Sequence, residues 1–255
     1  MTNVLVVEDH DQLAGAVGRE LEVEHGYSVA SVRDPLAMRT ELEQNAYDLV
    51  VVDLLFAHLS RDFDNRRLSG HVGLSAPSLL ITGLTAIRIV RTQAPETRIV
   101  VWTSGEANRR LHLLYSYEEF GQRIFCSKSP GTGRVDTLAD ALKAAAGRST
   151  YFDPVLNPYL PASGAISISH TLLHDECRRA VWRAIAIGAH NRAQIARLTG
   201  YSERYIGHQI PKMYAELRAF DPGLPESRQP HIEVVRYAAT NWEFFLDDAV
   251  RHAYP

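Results

Sequence analysis

Cysteine is nearly absent from this chain, with two in 255 residues. Cys126 and Cys177 stand far apart and lack the paired spacing of a metal site. A disulfide-stapled secreted domain is therefore excluded, and a reducing cytoplasm is the expected compartment. An excess of positive charge is missing too, since 27 Lys and Arg against 30 Asp and Glu leave a net charge of -3. Any nucleic-acid surface must then be local. No apolar run reaches the roughly 20 residues that cross a bilayer, so no membrane association is expected. The N-terminus meets acid at Glu8-Asp9 before a basic and then apolar leader can form, and reads as lacking a signal peptide. Apolar content is not lacking: 45% hydrophobic residues supply one large core or two ordinary ones.

What is present is a set of four short apolar runs, each ending in a polar residue. Val4-Leu5-Val6-Val7 leads into Glu8-Asp9, and Leu49-Val50-Val51-Val52 into Asp53. Ile99-Val100-Val101-Trp102 leads into Thr103, and Ile124-Phe125-Cys126-Ser127 into Lys128. Unbroken apolar runs separated by helical periodicity predict parallel strands covered on both faces. Leu13, Val17 and Leu21 recur at helical spacing up to Gly26, Tyr27 to Val32 reads as a strand, and Asp34-Pro35 caps a helix to about Asn45. Further helices are expected over about Thr85 to Gln93, Glu106 to Phe120 and Val135 to Ala146, with strands at Arg98 to Trp102 and Arg123 to Ser127. Five β-α repeats predict an α/β fold with a doubly wound, five-stranded parallel sheet. Its polar strand ends converge on the edge where such sheets bind ligands.

Three carboxylates, a hydroxyl and an amine on one edge suit phosphoryl transfer, which needs a nucleophile, a divalent cation and donors for the phosphoryl oxygens. Clustered carboxylates repel unless one is protonated or a cation binds, and an all-oxygen set suits Mg²⁺. In this order, these residues resemble the phosphoacceptor site of a two-component response regulator receiver domain, a flavodoxin-like fold. The resemblance implies that Asp53 is the phosphoacceptor and that Glu8, Asp9, Asp53 and the backbone carbonyl of Leu55 hold Mg²⁺. It makes Lys128 the amine that contacts the acyl phosphate, Thr103 the hydroxyl that turns inward onto it, and Phe125 the aromatic switch, although Phe125 also fits an ordinary core position.

The chain departs from the family after Asp53. Receivers follow the acceptor with a short proline-containing loop and a glycine that opens the next helix; here the matching glycine is Gly83, thirty positions on. The stretch from Ala57 to Leu80 is expected to lack regular structure, being charged over Arg61 to Arg67 and broken by Gly70, Gly73 and Pro77. Its place beside Asp53 suggests a lid that shields the acceptor or selects a kinase.

Periodicity stops over residues 148–169, where Pro154, Pro158, Pro161 and Gly164 predict a linker between a receiver at 1–147 and an all-α domain at 170–255. Cys177 to Ile187 reads as an amphipathic helix, and Asn191 caps a second one over Arg192 to Leu198. Thr199-Gly200-Tyr201 makes a turn and Ser202 caps a third helix, which together describe a helix-turn-helix. The segment Asn191 to Met213 resembles the LuxR-type output domain, with Pro230 to Phe245 matching its fourth helix. Between Cys177 and Arg218 stand eight basic residues and only Glu203 and Glu216 as acids. The resemblance places the major-groove face at Arg204, Tyr205, Gly207, His208 and Pro211, with Arg192 and Lys212 nearer phosphates, and counts the capping Ser202 among the DNA-binding residues. Gly207 and Pro211 inside the recognition helix predict a kinked or short element.

The reading is a DNA-binding transcriptional response regulator, not an enzyme, acting as a homodimer on double-stranded DNA under a histidine kinase or small phosphodonor. Two alternatives stay open. One is a phosphorylation-independent regulator controlled by a ligand, a partner or dimerisation. The other is an Asp-nucleophile phosphohydrolase.

Overall fold

A computed structural model describes residues 1–68, 80–128, 134–161 and 166–254. The breaks expected at Gly70, Gly73, Pro77 and Gly164 lie outside the described residues. The chain forms two compact units: Met1–Leu59 with Ile81–Leu160, and Ser60–Leu80 with Pro161–Pro255. Residues 60–80 thus belong to the second unit although both flanks belong to the first.

In chain order the first unit runs β1 (Asn3–Val7), α1 (Asp11–His25), β2 (Ser28–Val32), α2 (Pro35–Gln44) and β3 (Leu49–Val52). After α3 (Ala57–Leu68), which crosses from one unit to the other, come α4 (Gly83–Gln93), β4 (Arg98–Thr103), α5 (Arg110–Glu118), β5 (Ile124–Ser127), α6 (Arg134–Ala146) and β6 (Tyr151–Phe152). All strands pair in parallel, in the order β2-β1-β3-β4-β5-β6. The β1 and β3 residues Val4 to Val7 and Leu49 to Val52 are almost wholly buried, as expected for strands covered on both faces.

Local chemistry explains the element ends. Gly26 closes α1 at φ 70°, a left-handed conformation open to glycine. Asp34 accepts the Leu36 and Ala37 N–H groups at 2.9 Å, with Pro35 at the first helical position. Thr82 caps α4, which begins at Gly83 rather than at Thr85. The helix expected from Glu106 begins as a 3-10 turn over Ala107–Arg109, and α5 follows it.

Two stretches carry more structure than expected. Within the expected linker, β6 adds a sixth strand by pairing Tyr151 and Phe152 with Ile124 and Phe125. Two residues are too few to show a period. Asp153 then caps a 3-10 helix over Pro154–Tyr159, because proline at a first helical position costs no hydrogen bond. The expected Ala57 to Leu80 loop is helical over Ala57–Leu68.

The described residues of that stretch from Ser60 on fall in the second unit. Phe63 is 1% exposed and stacks on Trp242 at 5.9 Å between ring centroids. Leu80 bridges to Asp247: its N–H donates to the Leu246 carbonyl at 3.1 Å, and its carbonyl accepts the Asp248 N–H at 2.8 Å. The helices are α7 (Glu176–Ile187), α8 (Arg192–Thr199), α9 (Glu203–Phe220), α10 (Pro230–Thr240), α11 (Trp242–Phe245) and α12 (Asp248–Ala253). The single helix expected over Pro230 to Phe245 is broken at Asn241, whose side-chain amide donates to the Tyr237 carbonyl at 2.9 Å and competes with the helical backbone. Helix α9 is not short: it continues through Pro211 for 18 residues. Its buried face, Ile206, Ile210, Met213, Tyr214 and Leu217, extends on both sides of the proline, so packing outweighs the missing donor.

Candidate functional site

The first site forms where the strands end. The Asp53 N–H donates to the Val7 carbonyl at 3.1 Å and the Glu8 N–H to the Val32 carbonyl at 3.0 Å, so the β ladders themselves set both carboxylates on one edge. Glu8, Asp9 and Asp53 each offer an oxygen, all within 4.8 Å of one another. Lys128 enters from the end of β5. Its N–H donates to the Thr103 carbonyl at 2.9 Å, and its ammonium lies 5.0 Å from the Trp102 ring centroid. That ammonium is 2.7 Å from Asp53 Oδ2 and also bonds Glu8 Oε2.

Burial pushes the Glu8 carboxyl up. The Lys128 charge opposes that rise and Asp53 adds to it, leaving Glu8 above the usual carboxylate range. At Asp9 burial acts upward as well, but hydrogen bonds from His58 outweigh it and hold the carboxyl below its usual range. The His58 N–H donates to Asp9 Oδ2 at 3.2 Å, its Nδ1 lies 3.2 Å from the same oxygen, and its Nε2 is 3.6 Å from Asp34 Oδ2. Sequence reasoning missed His58 because it falls in the stretch read as a loop.

Thr103 is wholly buried, and its hydroxyl has no hydrogen-bond partner among the described residues. Phe125 is equally buried and stacks on Phe152 at 5.8 Å. Three carboxylates against one ammonium leave the ionised edge with surplus negative charge and hard oxygen donors around one point. That set fits a cation such as Mg²⁺.

The second site is the helix-turn-helix formed by α8, a turn at Gly200 with φ 77°, and α9. Asn191 accepts the Gln194 N–H at 2.9 Å and Ser202 accepts the Tyr205 N–H at 3.2 Å, as their cap positions predict. Arg204, His208 and Lys212 recur every four residues and are exposed, with Tyr205 beside them at 40% exposure. Exposed Arg192 opens α8 and leans over Gly207, where a Cβ would sit 3.5 Å from Arg192 Nη1. The basic surface is smaller than the sequence count. Arg178 pairs with Glu216 and Arg218 with Glu226, while Arg183 bonds the Tyr254 carbonyl. Burial, with Arg251 and Arg179 nearby, lowers Arg183 to about 10.

No family model matches the chain, and no curated protein matches it. Solved structures do. The RcsB response regulator of Salmonella typhimurium is 17% identical over 93% of this chain and 98% of that chain, with a TM-score of 0.55. The two-component response regulator RcsB in complex with DNA is 17% identical over 92% and 98%, with a TM-score of 0.54. A structure of two RcsB dimers on two parallel DNAs gives 17%, 92%, 98% and 0.51. With an acid-edged parallel α/β unit followed by a helix-turn-helix unit, this chain has the fold of the RcsB response regulator.

Proposed function

We propose that the protein is a transcriptional response regulator whose binding to double-stranded DNA is set by phosphorylation of Asp53. One observation carries the reading: Asp53, Glu8, Asp9, Lys128 and the unpartnered Thr103 hydroxyl share a sheet edge in a chain that also carries a helix-turn-helix. RcsB, whose fold it shares, is described on DNA and as DNA-bound dimers, which supports a DNA partner and a homodimer here. The cytoplasm is the matching compartment.

In the proposed reaction an Asp53 oxygen attacks the phosphorus of a histidine-kinase phosphohistidine or of a small phosphodonor. A new O–P bond forms as the donor's N–P or O–P bond breaks, and the bonding pair leaves with the donor. Glu8, Asp9 and Asp53, with the Leu55 carbonyl, would hold Mg²⁺, which supplies charge to neutralise the phosphoryl oxygens. Lys128 exchanges Asp53 for a phosphoryl oxygen, and the Thr103 hydroxyl donates to another. The state that holds Thr103 and Phe125 inward, where both side chains already lie, is then favoured, a population shift that releases or dimerises the DNA-binding unit. There Arg204, Tyr205 and His208 meet base edges, Arg192 and Lys212 meet phosphates, and Ser202 caps the helix that presents them.

Mass measurement after incubation with Mg²⁺ and acetyl phosphate tests this. One added phosphoryl group that is absent in Asp53→Asn supports it, and equal modification of that variant overturns it. The Lys128 ammonium, already tied to both Glu8 and Asp53, favours a second reading in which Lys128 keeps Asp53 engaged and control is phosphorylation-independent. Unchanged, still-regulated DNA binding by Asp53→Asn would select that reading.

A further inference from the structure

The first unit carries a second polar cavity, at the edge of the sheet opposite Asp53. It measures about 510 Å³, within the range of small-molecule sites. Four arginines line it: Arg91 from the last turn of α4, Arg98 at the start of β4, Arg123 just before β5, and Arg148 just after α6. Ile99 and Ile124 supply apolar wall between them. Among the described residues none of the four arginines is paired with a carboxylate.

Arg91, Arg123 and Arg148 are exposed and Arg98 is half-buried, so water screens their mutual repulsion, but the convergence of four cations on one cleft still needs an explanation. Part of it is helix capping. Arg98 Nη1 donates to the Ala145 and Ala146 carbonyls at 2.5 Å each, satisfying the end of α6. Arg123 Nη1 similarly donates to the Tyr117 and Gln122 carbonyls at 2.8 and 2.7 Å. Both guanidiniums are thereby fixed through one nitrogen, while each fork still carries further donors. Capping does not account for Arg91, which lies over the face of Phe120 at 5.9 Å. Nor does it account for Arg148, which has φ 59° and is the one non-glycine residue with positive φ among the described residues. Glycine would occupy that conformation without strain, so the backbone gains nothing from an arginine there.

We propose that this cavity binds a small, multiply phosphorylated ligand of nucleotide size, with Arg91 and Arg148 engaging its phosphates and pre-oriented Arg98 and Arg123 supporting them. The bidentate guanidinium fork suits phosphate oxygens, and the apolar wall suits an organic body. The concavity and volume favour a small molecule over a nucleic-acid duplex. The proposal does not depend on phosphorylation of Asp53.

Calorimetric titration of the full chain with ADP and with pyrophosphate tests it, in EDTA so that the acidic edge contributes no cation. Saturable one-to-one binding is expected, unchanged in Asp53→Asn. It should weaken by about tenfold or more in Arg148→Gly and in Arg91→Gln, the loss expected for one charged hydrogen bond. Arg148→Gly suits the local backbone, so its fold should persist, which thermal unfolding verifies. No saturable binding of either probe overturns the proposal, as does equal binding by both variants. Displacement of ADP by duplex DNA, with a matching loss of DNA affinity in both variants, reassigns the cavity to nucleic acid and overturns it as well.

Discussion

A Cβ on Gly83 would lie 2.1 Å from the backbone carbonyl oxygen of Asp53. The contact is held from the other side too, since the Gly83 N–H donates to the Leu54 carbonyl at 2.9 Å. The chain that leaves Asp53 therefore returns to touch it thirty residues later. The close approach requires glycine for want of space, since no left-handed φ is involved.

Gly83→Ala must therefore push the start of α4 off the Asp53 backbone. A loss of about 3 kcal/mol is expected, at the upper end for overpacking in a rigid site, together with slower phosphorylation of Asp53. Urea unfolding and phosphoryl incorporation measure the two. Wild-type stability in Gly83→Ala would show that the backbones separate without cost.

Phe63→Ala tests whether residues 60–80 form part of the second unit's core. Removing a ring that is 1% exposed and stacked on Trp242 should cost about 3–5 kcal/mol. Tryptophan emission during urea unfolding reads it. A change below about 1 kcal/mol would reduce α3 to a surface attachment.

Thr103→Val separates structure from signalling at one atom. The hydroxyl is buried without a partner, so its removal should raise the stability of the unphosphorylated chain by about 1 kcal/mol. The phosphorylated form should lose its effect on DNA affinity. A destabilised unphosphorylated variant would contradict the first expectation.

On the proposed DNA surface, Arg204→Ala should lower affinity and relax sequence preference by about 1–3 kcal/mol at one base position. Arg192→Ala should weaken all sequences alike and shrink the salt slope by about one unit. Binding across a sequence library at several salt concentrations distinguishes these patterns. Identical behaviour of the two variants would put both residues on phosphates.

His112 in α5 is wholly buried, and that burial, with Arg109 nearby, lowers its pKa from 6.5 to about 3. The unfolded chain takes up this proton below pH 6.5, whereas the folded chain resists until about 3. Its contribution to stability is thus complete above pH 6.5 and drains away toward pH 3, at up to about 1.4 kcal/mol per pH unit. His112→Gln should flatten the acid limb of a stability profile over that window. An unaltered limb would assign the acid sensitivity elsewhere.

The sheet was legible because its central strands are buried on both faces and so read as unbroken apolar runs. Glu8, Asp9, Asp53, Thr103 and Lys128 were legible as the residues that end those runs. Local sequence could not reveal what distant residues stabilise. Phe63 is a lone aromatic in a charged segment until Trp242, far along the chain, covers it. β6 exists because the β5 edge accepts two residues. His58 acquires its position from Asp9 and Asp34, and Pro211 its tolerance from the packed face on either side of it.

Residues 60–80 make the polypeptide cross between its two compact units after Leu59, after Leu80 and again after Leu160. Units joined by a single tether can be exchanged between genes by one recombination event. Here a junction at residue 160 would deliver a second unit stripped of Phe63 and Leu80, removing the Phe63 ring from Trp242 and the Leu80 bridge from Asp247. A chimera that takes the second unit must therefore carry Phe63 and Leu80 with it, as two segments of the chain and not one.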